Sequence, residues 1–397
     1  MNIAVAGCGI TGTAAAYFLA KAGHQVTIFE QAKQCGPVGA GIMLQPSGQA
    51  VLRSMGLLEP IESCSARLEG MTAKLVSGKN LVQLKYADLS SELYGIGAHR
   101  GRLFQLLYQA CEEAGVTICT GARVCGYESL DKGKNKKVRL LFESPEEEPK
   151  LRGEFDFVIG ADGSLSALRD HLCREEGLKS RTIEYDYAAL WMTTRTEYRS
   201  DQLVQVVNGT QELVGILPIG PDECSFFWGL KADEHQQLIL ASFSDWRDSA
   251  LRTCPEAEPL LADKTGFEEF TFARYRHVKT NRPHGARAIL LGDAAHATSP
   301  HLGQGANLGL EDAALFAEAL AETGNEFHNA CLLFAKRRSR QVRFYQSLTR
   351  ILTPFFQSRG TWKGVARNLF LPWFPTIPFV RRQMLRTLCG LKKGWLG

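Results

Sequence analysis

The 397-residue sequence has no C-x-x-C pair and no H-x-x-x-H spacing, although it holds eleven cysteines and nine histidines. Zinc sites, thioredoxin-like redox pairs and secreted disulfide frameworks all need closer or more regular spacing, so none is expected and no metal site is assigned. The scattered thiols fit a reducing, cytoplasmic setting. No apolar run approaches the ~20 residues of a membrane-spanning helix. The apolar start Ile3-Ala4-Val5-Ala6 lacks a basic flank and is cut short by Gly7-Cys8-Gly9, which argues against a secretion signal. Residues 327–397 contain fourteen Lys or Arg and no Asp or Glu, whereas the chain before them holds 32 basic against 42 acidic groups. No nucleic-acid partner is expected. The basic end instead suggests a surface that meets something anionic.

Residues 2–6 read as a buried strand, 11–22 as a helix and 25–29 as a second strand, a β-α-β unit within thirty residues. Leu103 to Ala114 reads as a helix, and Phe155 to Gly160 and Arg287 to Leu291 as buried strands. Residues 182–231 are rich in β-branched and aromatic residues, with turns at Asn208-Gly209 and Gly220-Pro221-Asp222, the texture of an antiparallel sheet. Lys132 to Lys137 and Glu146 to Glu148 read as solvated turns, and from about residue 303 the chain becomes helical.

Gly7-Cys8-Gly9-Ile10-Thr11-Gly12 is a G-x-G-x-x-G after a strand and at the start of a helix. Gly7 permits the tight turn, Gly9 the approach of a pyrophosphate and Gly12 the packing of helix on strand, while free N–H groups at the helix start face the anion. Glu30, closing the second strand, can accept hydrogen bonds from both ribose hydroxyls, which favours FAD or NAD over a 2′-phosphorylated nucleotide. A second G-x-G-x-x-G is absent, so no separate nicotinamide domain is expected. The C-x-x-x-x-C of two-dinucleotide flavin reductases and the W-x-W-x-I-P of flavin halogenases are absent as well.

Two more segments carry chemistry: Asp156 to Arg169, containing Gly160-Ala161-Asp162-Gly163, and Gly292-Asp293-Ala294-Ala295-His296 through Pro300-His301 to Gly303-Gln304-Gly305-Ala306-Asn307 and Glu311-Asp312. With these three motifs in this order, the chain resembles the single-component flavoprotein monooxygenases typified by para-hydroxybenzoate hydroxylase, over most of residues 1–345. The resemblance implies an α/β fold: a Rossmann-like FAD-binding domain from 1–72, 96–178 and 274–345, an inserted antiparallel substrate domain from 73–95 and 179–273, and a helical, basic C-terminal section, 346–397. It implies FAD as cofactor, with NADH or NADPH as a transient co-substrate. Gly7, Gly9, Gly12 and Glu30 match the adenosine side, Gly41 a loop against the flavin, and Arg100 a cofactor-contacting arginine. Asp162 matches a motif used for FAD and nicotinamide, Asp293 the ligand of the flavin's sugar-alcohol chain, and Gly305, Ala306 and Asn307 the backbone beneath the ring. The implied reaction takes O2 and a small aromatic or polyunsaturated molecule, which is hydroxylated or epoxidised through a flavin C4a-hydroperoxide. The Pro300 carbonyl would lie beside that adduct, and His301 is the candidate general base. The competing readings are a flavin-dependent reductase of a lipid-like substrate and a flavin-bearing interaction protein without a substrate.

Ser47 and Pro283-His284 depart from the family pattern, which bears on substrate contacts more than on the cofactor. Tyr187, Trp191, Phe227 and Trp228 are candidate pocket aromatics. The stretch from Thr353 mixes Phe355, Phe356, Trp373 and Phe379 with eight basic residues and no acid, and Pro372, Pro375 and Pro378 exclude one long helix. It is expected either to pack as a cap or to touch an anionic membrane peripherally through 354–397.

Overall fold

The computed structural model describes residues 1–36, 39–132, 135–144 and 153–395. The segment Glu146–Glu148 and the tip of the Lys132–Lys137 turn therefore lie outside the described residues.

The β-α-β unit is Asn2–Ala6, Ile10–Lys21 and Gln25–Glu30. Asn2–Ala6 sits at the centre of a five-stranded parallel sheet, between Phe157–Gly160 on one side and Gln25–Glu30 on the other, with Ala288–Leu290 and Thr117–Thr120 at the edges. These central strands are apolar on both faces because both faces are covered, one by helices and the other by the helix Ala167–Glu175 with the hairpin strands Val124–Lys132 and Asn135–Phe142. Ile10–Lys21 and Gly305–Glu322 pack on one side, where Ala14, Ala15, Leu310 and Ala313 are wholly buried.

The second large sheet has seven strands, in the order Thr271–Thr280, Ser180–Arg195, Glu223–Lys231, Glu212–Gly220, Gln202–Asn208, Gly70–Leu75 and Asn80–Lys85. It is antiparallel except where Gln202–Asn208 runs parallel to Gly70–Leu75. Strand alternation separates three of the four aromatics named from sequence. Trp228 packs against Trp246 in a core on one face, whereas Trp191 and Phe227 meet on the other, tilted by 34° with 4.8 Å between ring centroids. A three-stranded sheet, Gly41–Leu44, Gly95–His99 and Ala66–Leu68, bridges the two large sheets: the Gly41 N–H donates to Ser225 Oγ at 3.0 Å.

From Asp293 onward the chain is helical. Phe327–Phe356 runs unbroken through Pro354 and so crosses residue 345, where the family resemblance ends. Thr361–Phe370, the 3-10 turn Leu371–Thr376 and Pro378–Leu388 follow. Pro372 and Pro375 fall in the 3-10 turn and Pro378 opens the last helix, where its missing N–H costs nothing. The expectation of an unneutralised positive stretch needs correcting. Arg359 pairs with Asp233 at 2.7 Å and Arg381 with Asp88, both acids from the sheet region, while Arg367 and Lys392 are buried and hydrogen-bonded. Folding brings acids from far upstream to a segment that has none of its own.

Candidate functional site

Glycines bring the three motifs together. A Cβ on Gly7, whose φ is +101°, would lie 2.5 Å from the Ala161 carbonyl oxygen, and one on Gly12 would lie 2.0 Å from the Gly7 carbonyl oxygen. Thr11 fills the space left by Gly292 and Gly309, where added Cβ atoms would meet its Oγ1 at 2.5 and 2.2 Å. The fingerprint loop thus touches the Asp162 segment on one side and the Asp293 segment on the other. Gly9 differs: a Cβ there would meet nothing within 4 Å, so its backbone is open on the side from which a pyrophosphate would approach.

Glu30 closes its strand and turns back on the loop, one carboxylate oxygen accepting from the Cys8 N–H at 2.8 Å and the other from the Ala32 N–H at 2.9 Å. A carboxylate has about four lone-pair sites, so each oxygen keeps capacity for a hydroxyl donor. Asp162 caps the helix Ala167–Glu175 by accepting from the Leu168 N–H at 3.2 Å, and its other oxygen is buried without a protein partner. Burial pushes its carboxyl up, and hydrogen bonds from Ser166 and Leu168 draw it back. Arg169, buried, donates to the carbonyls of Ser164 and Ala294 at 3.0 Å each and ties the two aspartate segments together.

Asp293 is exposed between buried Gly292 and buried Ala294 and Ala295. Desolvation nonetheless raises its carboxyl, against the pull of the His296 and Arg100 charges, so it stands in a recess among protein atoms and not on open surface. Its Oδ1 is the nearest atom, at 4.0 Å, to where a Cβ on Gly305 would point. Arg100 starts the helix Arg100–Glu113, its backbone N–H donating to Ala40 O, and its side chain packs under Gly39. An acid, a helix N-terminus bearing roughly half a positive charge and an arginine therefore converge. A Cβ on Gly41 would strike Ser225 and Ile219 of the large sheet, so packing requires glycine there. Asn307 pins the neighbouring strand, accepting from the Gln45 N–H at 2.9 Å and donating to Met43 O at 3.0 Å. Ala306 lies half-buried beside it in the first turn of the helix. Pro300 opens a 3-10 turn, and its carbonyl accepts from the Gly303 N–H at 2.8 Å, leaving one lone pair.

Sequence reasoning missed what holds this segment from behind. Asp312, wholly buried, accepts from the Gly292 N–H at 2.9 Å, His296 Nε2 at 2.6 Å and Arg338 Nε at 2.6 Å. Arg338 also donates to Leu308 O and Gln341 Oε1. Burial alone would raise the Asp312 carboxyl, but His296 and Arg338 hold it down at about 2. Arg338 sits in Lys336-Arg337-Arg338, a run that composition reads as a solvated face. The C-terminal turn was missed too. Cys389 O accepts from the Ser47 N–H at 3.2 Å, and Gln304 donates to Leu388 O at 2.8 Å. Ser47 is small enough for Gly390 to pack on it, which explains one departure from the family pattern.

An open glycine loop over a capped acid, joined to a second acid in a recess at a helix start, defines a dinucleotide-binding flavoprotein, and these residues fit FAD. The chain belongs to the family described as FAD binding domain, which matches residues 1–345. It is 27% identical over 349 residues to 6-hydroxynicotinate 3-monooxygenase of Bordetella bronchiseptica, covering 83% of this chain and 85% of that one. It is 26% identical over 337 residues to aurachin C monooxygenase/isomerase of Stigmatella aurantiaca, covering 81% of each. Its fold matches a Klebsiella pneumoniae HpxO variant complexed with FAD, with a TM-score of 0.81, 22% identity and full coverage of both chains. The chain is an FAD-dependent oxidoreductase of the monooxygenase type.

Two outcomes follow. Asp293→Ala should lower FAD occupancy, read from the flavin absorbance of purified protein, while the melting temperature without flavin changes little. Retention of FAD at wild-type affinity would remove that carboxylate from the site. Arg338→Met takes the guanidinium from buried Asp312, leaves its Oδ1 without that donor and should cost about 3–5 kcal/mol of unfolding free energy in urea titration. With its folded-state pKa held below the unfolded value of about 3.9, the Asp312 contribution is fully present above that pH. It is lost as pH falls towards 2, so the variant's deficit should shrink in acid; a deficit that stays constant from neutral pH to the acid limit would contradict the network.

Proposed function

We propose that this chain hydroxylates or epoxidises an aromatic or polyunsaturated small molecule, with NAD(P)H as reductant and O2 as oxidant. The observation that carries the reading is the convergence of Asp293, the N-terminus of Gly305–Glu322 and Arg100 beside the Pro300–Gly303 turn. When bound, the flavin supplies the activation of oxygen. The chain's residues then have four tasks: Glu30 takes the ribose, Asp293 the sugar-alcohol chain, and the backbone of Gly305, Ala306 and Asn307 an anionic ring edge. The free lone pair of the Pro300 carbonyl holds the fourth position, at the reacting face. His301 is neutral near pH 7, since burial lowers it to about 4, so it serves as a hydrogen-bonding partner of the substrate and not as a resident cation. The nicotinamide visits the Asp162 side, whose free oxygen is an acceptor. In this reading 1–72, 96–178 and 274–345 hold the cofactor, and 73–95 with 179–273 hold the substrate.

A second reading concerns placement in the cell. Among the described residues no helix is long and apolar enough to cross a membrane. Yet Thr361–Phe370 is amphipathic the wrong way round: Gly364 and Arg367 are buried, while Trp362, Val365 and Leu369 face out. Phe370, Trp373 and Phe379 extend the apolar surface, 58–70% exposed, and Lys363 lies over the Trp362 ring, 5.8 Å from its centroid. Such a surface suits peripheral contact of a cytoplasmic enzyme with anionic lipid, each nearby basic residue adding about 1 kcal/mol.

Stopped-flow reduction of the flavin by NAD(P)H should be slow alone and accelerate with substrate, and product should carry label from 18O2. Label-free turnover would favour the reductase reading, and no ligand-stimulated oxidation the interaction-protein reading. Vesicles of phosphatidylserine and phosphatidylcholine should sediment the protein at low salt and release it at high salt. Absence of low-salt binding, or unchanged binding by a Trp362→Ser, Trp373→Ser, Phe379→Ser triple variant, would eliminate the membrane contact.

A further inference from the structure

Beside the Pro300 turn, several buried polar atoms have no protein partner: His301 Nε2, Gln357 Nε2 and the Tyr185 hydroxyl. They are neighbours. His301 Nδ1 meets the Ser299 hydroxyl and lies 3.5 Å from Thr353 Oγ1. Thr353 spends its proton on Thr349 O at 2.8 Å, and its hydroxyl sits next to Tyr185 without satisfying it. Gln357 lies next to His301 without reaching hydrogen-bonding distance of Nε2. Its place is built for: a Cβ on Gly229 would lie 2.3 Å from Gln357 Nε2, so the sheet carries glycine where the carboxamide rests. Phe356, with its ring centroid 6.3 Å from that of His301, joins Trp191 and Phe227 in one apolar wall.

Leaving a buried donor or acceptor unmade costs about 1–3 kcal/mol. Three in one neighbourhood, flanked by an aromatic wall and adjoining the cofactor turn, need a common partner. Thr353, Phe356 and Gln357 lie beyond residue 345, outside the family match, so this corner joins the C-terminal section to His301 and Tyr185 from within it.

We propose that His301, Gln357 and Tyr185 form a clamp for an uncharged ring substituent, a hydroxyl or oxo oxygen, and that it selects neutral hydroxy- or oxo-aromatic substrates over carboxylated ones. This rests on the monooxygenase reading above and names its substrate class. Gln357 supplies an N–H donor, Tyr185 a hydroxyl that donates or accepts, and His301 whichever role its tautomer leaves at Nε2. All three are neutral. Of the cations nearby, Arg350, whose charge acts on Tyr185, is exposed, and Arg367 donates to Phe355 O and Asn368 Oδ1, so no buried cation is left free for a ligand among the described residues. A carboxylate placed here would be buried without a counter-charge, which is far costlier than burying a neutral hydroxyl with partners.

The test titrates the FAD-loaded protein with 2-naphthol and with 6-hydroxy-2-naphthoate, which differ by the carboxylate alone, and follows the perturbation of flavin absorbance. 2-Naphthol should bind at least roughly tenfold more tightly, and Gln357→Leu and Tyr185→Phe should each weaken it by roughly tenfold at unchanged FAD content. Equal or tighter binding of the carboxylate overturns the clamp. So does wild-type affinity of both variants for 2-naphthol, or the failure of both probes to perturb the flavin. A wild-type protein without flavin absorbance would overturn the cofactor reading and the clamp with it, whereas a yellow protein that fails these titrations overturns the clamp alone.

Discussion

One buried carboxylate holds the Asp293 segment in place. Asp312 cannot be desolvated alone, so it requires Arg338, and Arg338 in turn fixes the helix Phe327–Phe356 against Gly305–Glu322. Its other oxygen holds the Gly292 N–H and His296. The backbone at Gly292, φ +57°, is thereby set so that Asp293 leaves the strand Ala288–Leu290 facing the recess and not the core. The exposed acid has its position because a hidden one is fully paired behind it.

The same constraint explains why the motifs must arrive together. Thr11 packs where Gly292 and Gly309 lack side chains, and Arg169 spans from the Asp162 segment to Ala294 O. Each motif is a wall for the next, so the site is assembled from three distant stretches of chain by close backbone approach. That approach tolerates no Cβ at Gly7, Gly12 or Gly292.

Periodicity and glycine spacing made the parallel sheet, its first helix and the fingerprint legible, because those features repeat locally: Asn2–Ala6, Ile10–Lys21 and Gln25–Glu30 lie within a residue or so of where the pattern puts them. Glu30 was legible by its place at a strand end. Arg338 was not, because nothing in Lys336-Arg337-Arg338 distinguishes the one side chain that turns inward. The charge of the last seventy residues was misread for a related reason. Composition counts only the acids nearby in sequence, while Asp88 and Asp233 arrive through folding. Gln357 was invisible because an amide has no signature until its neighbours are known, and the glycine that makes room for it, Gly229, lies on another strand.

The turn at Cys389-Gly390 rests on Ser47 and lies beside Gln304, the residue preceding the helix Gly305–Glu322. This bears on the order of events during synthesis. A nascent chain that has emerged only as far as residue 345 already contains all three motifs, yet the groups that brace Ser47 and Gln304 are still inside the ribosome. Thr353 and Gln357 are translated in the same late stretch. The segment around Ser47 and Gln304 therefore reaches its final geometry only after residues 387–390 have emerged, and a ribosome that stalls before them would leave a chain that carries every fingerprint of the family and lacks the contacts that brace it.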